Sequence, residues 1–111
     1  MVELYCRRVV FGSPGDEAAF FSWVGSIAGV QRVVGVGDAI RLEVPRVLPD
    51  AALRELLAVF RRYDIDMAQL AQFASESNAA WFAAPGAYWH DRVFRQAGNA
   101  EPGSVLSSGD S

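Results

Sequence analysis

Two β-rich runs, Val30 to Val36 and Ala39 to Val44, are separated only by Gly37-Asp38, a dipeptide suited to a two-residue hairpin turn. With that turn, Val33 lies opposite Leu42 and Arg32 lies opposite Glu43. Val33, Ile40, Leu42 and Val44 then share one face, while the opposite-charge pair on the other face is worth about 0.2 to 1 kcal/mol. A sheet that is apolar on one side has to be covered, so helices are expected on either side of the hairpin in sequence.

Both are legible. Pro49 to Tyr63 places Leu53, Leu56, Leu57 and Phe60 at i, i+3, i+4 and i+7, the repeat of a helix with one apolar face. Asp50 suits the start of its dipole, and Arg61 and Arg62 suit its end. Before the hairpin, Ser13 is placed to cap a helix over Pro14 to Ala28, with Pro14 in its first turn and Gly29 as its stop. Phe20, Val24 and Ile27 lie on one side of that helix, and Phe21 and Trp23 widen the stripe.

Val2 to Phe11 reads as a first strand ending at the turn Gly12-Ser13-Pro14-Gly15, and Ile65 to Phe73 as a fourth. The order β-α-β-β-α-β predicts an α+β fold, a ferredoxin-like two-layer sandwich with additional C-terminal helices. Residues 1–95 are expected to form a single domain, made of a ferredoxin-like unit over 1–74 and an aromatic helical tail over 75–95. The first strand places Leu4, Cys6 and Val10 against Tyr5, Val9 and Phe11, bulky groups on both sides, so the tail is expected to cover the open sheet face. In it Trp81, Phe82, Tyr88, Trp89 and Phe94 gather five of thirteen aromatics. Two short helices are predicted there, Ser77 or Asn78 capping one and Pro85 starting the other, with Trp81, Phe82 and Trp89 in the core. The Gly/Ser-rich residues 96–111 are expected to be mobile.

Chemistry-bearing residues are sparse. A single cysteine, Cys6, forms no internal disulfide and reads as a buried hydrophobe in a reducing compartment. The single histidine, His90, adjoins Asp91 on a predicted helix, where neighbours diverge and do not form a dyad. One cysteine and one histidine fall short of a structural zinc site. Asp64 and Asp66 flank Ile65 and would share one side of a strand, two carboxylates where a hard cation needs more oxygens. Gly12 to Asp16 reads as a capping turn, and the G-V-G-D at Gly35 is a hairpin and not a dinucleotide loop. No catalytic residue, metal or cofactor is therefore assigned.

Thirteen acids outweigh ten bases, all arginine, for a net charge of −3. The doublets Arg7-Arg8 and Arg61-Arg62 give no phosphate-tracking surplus, so a nucleic-acid partner is not expected. The N-terminal residues lack the apolar stretch of a signal peptide, and no run approaches the roughly 18 apolar residues of a membrane span. A cytoplasmic location without membrane association is expected.

The stretch WFAAPGAYWHDRVF, Trp81 to Phe94, resembles a tail of small uncharacterised bacterial proteins, some of them similar to immunity proteins of contact-dependent or polymorphic toxin systems. The resemblance implies a protein that occludes a cognate toxin, and no catalytic residue carries over. Two functional expectations result. One is a non-catalytic protein-binding module, with Arg7, Asp64, Asp66, His90 and Arg92 as candidate contact residues. The other is a homodimer of ferredoxin-like units enclosing a small-molecule or catalytic pocket between stacked sheets.

Overall fold

Strand β1, Val2–Arg7, is followed by helix α1, Pro14–Ser26, the hairpin strands β2, Arg32–Val36, and β3, Ala39–Val44, and helix α2, Asp50–Arg62. The computed structural model describes residues 1–95, and the run expected to be mobile lies outside them. The chain divides into two compact units, the first Met1–Asp66 and the second starting at Met67. No helix among the described residues is long and apolar enough to cross a membrane.

In the first unit the three strands form an antiparallel sheet in the order β1-β3-β2. Thus β1 and β2 run parallel with β3 between them, the split β-α-β arrangement. The hairpin register is the one the turn dictates, with Val33 opposite Leu42 and Arg32 opposite Glu43. Gly37 supplies the positive φ of 61° that the turn requires. The cross-strand charge pair is a correction: Glu43 accepts instead from its neighbour on β3, with Arg41 Nη2 at 3.2 Å.

Leu4 and Cys6 of β1 and Leu42 and Val44 of β3 share one sheet face and are fully buried. The opposite face carries Glu3, Tyr5 and Arg7 beside Arg41 and Glu43, and Tyr5 Oη donates to Glu3 Oε1 at 2.9 Å. The positions that the helical spacing marks as apolar are buried too: Phe20 and Val24 of α1, Ile27 just after it, and Leu53, Leu56, Leu57 and Phe60 of α2, joined by Ala52, Val59 and Ile65. Helix α1 packs on α2 and on β2. Trp23 widens its stripe and donates through Nε1 to Glu55 Oε1 of α2 at 2.8 Å, whereas Phe21 stays exposed. Gly29 turns the chain after α1 with φ 98°, and a Cβ there would lie 3.2 Å from Leu48.

Strand β1 is shorter than the β-rich composition of Val2 to Phe11 predicts. Arg8 takes φ 56° and turns the chain out of the sheet, so Val9, Val10 and Phe11 belong to a loop and line no sheet face. The fourth strand is a larger correction, because Met67–Phe73 forms a 3-10 helix and the described sheet has three strands. Met67, Leu70 and Phe73 are its buried residues. Their spacing of three is the 3-10 period, and Ala68, Gln69 and Ala71 bring no β-branched side chain to oppose it.

In the second unit a single helical turn, α3, spans Ala79–Phe82, and a wide π-type turn spans Asp91–Arg95. Pro85 lies in the intervening turns and starts no helix. Phe82 and Val93 are buried, while Trp81 and Trp89 are half-buried and pack edge to face with centroids 5.9 Å apart. Trp89 Nε1 donates to the Phe82 carbonyl at 2.7 Å.

Candidate functional site

The chain leaving β1 is R-V-V-F-G-S, Arg8 to Ser13, with apolar residues at three successive positions, of which Val9 and Phe11 are half-buried and Val10 is exposed. Val10 is 82% exposed, whereas Phe11 is half-buried. The Phe11 ring lies 5.4 Å from Phe20, 5.9 Å from Tyr63 and 6.5 Å from Phe21. Phe20 in turn meets Tyr63 at 5.0 Å and Phe21 at 5.4 Å, both nearly perpendicular. Edge-to-face contacts of this kind suit the ring quadrupoles and add to the burial energy. Phe21, 38% exposed, carries the cluster to the surface next to Val10's loop.

Polar groups fix the same loop. Ser13 caps α1 by accepting from the Asp16 amide at 3.1 Å, as the capping-turn reading predicts. The Asp16 carboxylate reaches back as in a capping box, accepting from the Gly12 amide at 2.9 Å through Oδ2. Its other oxygen accepts from Tyr63 Oη at 3.0 Å, joining the start of α1 to the residue that ends α2. The Arg62 guanidinium stands 5.2 Å from the Tyr63 ring centre.

These bonds displace both proton affinities. The Gly12 amide first, then the Tyr63 hydroxyl, holds the Asp16 carboxyl below its ordinary range. Burial first, then the Asp16 carboxylate, raises the Tyr63 phenol above its ordinary range. The carboxylate form of Asp16 therefore favours the fold. Its contribution is complete above the ordinary carboxyl pKa and is lost as pH falls through the lowered folded value. For Tyr63 the neutral phenol favours the fold, with a contribution complete below the ordinary phenol pKa and lost at still higher pH. Asp16→Asn should thus be less stable than the parent at neutral pH, with the difference shrinking on acidification. Chemical denaturation across pH 2 to 7 checks this.

The residues singled out from the sequence occupy less concentrated positions. Arg7 is exposed at the end of β1, with its guanidinium 4.9 Å from the Tyr5 ring centre. Asp64 and Asp66 are exposed on either side of buried Ile65, but not on a strand. Asp64 takes φ 56° immediately after α2, where the Ile65 amide donates to the Phe60 carbonyl at 2.8 Å and the Asp64 amide to that of Arg61 at 3.3 Å. That pair of bonds is the Schellman ending of a helix, with aspartate in the left-handed position glycine usually takes. Asp64→Gly should accordingly raise stability by up to about 1 kcal/mol, read as a higher denaturation midpoint.

His90 and Arg92 belong to the second unit and are half-buried. His90 Nδ1 is 3.4 Å from Asp91 Oδ1, so the two neighbours meet where a helical placement predicts divergence, and the His90 ring lies 5.5 Å from Phe94. Cys6 is fully buried, and burial pushes its thiol up to about 12, far from a reactive thiolate at neutral pH. Among the described residues no three His, Cys, Asp or Glu side chains are grouped to hold a metal ion.

The surface centred on Val10, Phe11 and Phe21 was not legible as a site, because its residues read as strand and helix-stripe positions. The Ser13 to Asp16 spacing was the available signal for the anchored turn. No family model, curated protein or solved structure matches this chain.

Proposed function

We propose that this chain is a non-catalytic protein-binding module whose contact surface is the loop bearing Val10 together with Phe21 of α1. The observation that carries the reading is an apolar side chain, 82% exposed, on a loop held by an aromatic cluster and by both oxygens of Asp16. Apolar and aromatic anchors held in place before binding lose little freedom when they dock, which is how a small patch comes to dominate an interface. The net charge of −3 steers encounter toward a basic partner. Within this reading the partner is a toxin that the chain occludes, in line with the immunity-type resemblance of Trp81 to Phe94. The three-stranded antiparallel sheet and two helices of the first unit support the reading, since packed elements of this kind hold a contact surface rigid.

The test is capture of a stoichiometric partner from native cells by the parent chain, by Val10→Asp and by Phe21→Asp. Each substitution should weaken binding at least about tenfold, without changing the circular dichroism of the free protein. Undiminished binding by both variants, or turnover of a small substrate by the pure chain, overturns the reading.

A further inference from the structure

The outer strand β2 suggests a second, independent contact. It is hydrogen-bonded to β3 on one side, and among the described residues it has no strand on the other. An outer strand presents a row of backbone N–H and C=O groups to any strand that can align with it, and single sheets generally blunt such edges with charge, proline or a bulge. Val33 to Val36 has neither charge nor proline. Gly35 and Val36 are exposed, Val36 by 43%. The opposite outer strand, β1, instead carries Glu3 and Arg7 at exposed positions.

Charge identifies the occupant. Arg32 begins β2 and Asp38 follows its end, both exposed, and neither has an ion-pair partner among the described residues. Glu43, which faces Arg32 in register, is engaged by Arg41. If a second β2 aligns antiparallel about a two-fold axis at Val34, Val34 faces its equivalent and Arg32 faces Val36 of the second copy. The antiparallel alignment also sets the Arg32 end of each β2 beside the Gly37-Asp38 turn that ends β2 of the other copy, which puts Asp38 within reach of the long arginine side chain.

We propose that two copies of this chain pair edge to edge through β2, forming a continuous six-stranded sheet closed by two reciprocal Arg32–Asp38 ion pairs. The interface does not involve the Val10 loop, so Val10→Asp leaves it intact and the two readings fail separately.

Sedimentation velocity of the full chain over micromolar concentrations tests it. The parent should dimerise, and Asp38→Arg, a change in an exposed turn, should raise the dissociation constant about tenfold or more. Arg32→Asp should also weaken the dimer, because its acids then face each other. An equimolar mixture of the two variants restores both opposite-charge pairs and should recover the parent's association as a heterodimer. A parent that remains monomeric, a dimer indifferent to Asp38→Arg, or a mixture no tighter than its components overturns the proposal.

Discussion

Phe20→Ala is expected to lower the free energy of unfolding by about 3–5 kcal/mol, the range for removing a buried phenylalanine. Phe20 is fully buried and touches three other rings, Phe11, Phe21 and Tyr63. None of those neighbours can collapse freely into the space. Tyr63 is tied to Asp16, and Phe11 sits on a loop pinned at Gly12, so much of the cavity should persist. Phe20→Leu keeps much of the volume and should lose distinctly less. Urea denaturation of both variants measures the difference, and equal losses would mean that the retained bulk counts for nothing and the ring contacts carry the whole effect.

Asn78→Ala should cost about 2–6 kcal/mol, because it orphans two backbone groups at about 1–3 kcal/mol each. Asn78 is a buried polar residue, 5% exposed. It occupies the cap position before α3, yet its side chain makes no cap bond. It turns back, with Nδ2 donating to the Phe73 carbonyl at 2.8 Å and Oδ1 accepting from the Ser75 amide at 2.9 Å. The two roles separate cleanly by experiment. A helix cap tolerates aspartate, whereas here Asn78→Asp would aim a carboxylate oxygen at a carbonyl and should destabilise as well. Thermal denaturation of the two variants, with hydrogen exchange at the Ser75 amide, reads both effects. A neutral Asn78→Asp would restore the capping role.

How far sequence reached into this structure depended on whether the deciding interaction was local. The hairpin register follows from a two-residue turn and a period-two pattern, and every paired residue of β2 and β3 sits where that logic places it. Helix α2 follows from four apolar residues at helical spacing. The fourth strand failed because a segment with buried residues every third position was read as a strand, when three is the 3-10 period. The length of β1 was overestimated because Arg8 adopts a backbone conformation its residue type does not advertise. The candidate surface was hidden for a different reason. The Asp16 to Tyr63 bond and the Phe11, Phe20 and Tyr63 contacts join positions far apart in sequence, and no local pattern encodes them.

The claim that the Val10 loop is the working surface is tested most directly by replacing Val10 with a photocross-linking amino acid in native cells, with Val47 replaced as the control. Both valines are 82% exposed and lie in the first unit, but only Val10 stands on the anchored aromatic loop. The expected result is a single discrete adduct of another protein from position 10 and none from position 47. Adducts of equal yield from both positions, or none from position 10 alone, would contradict it.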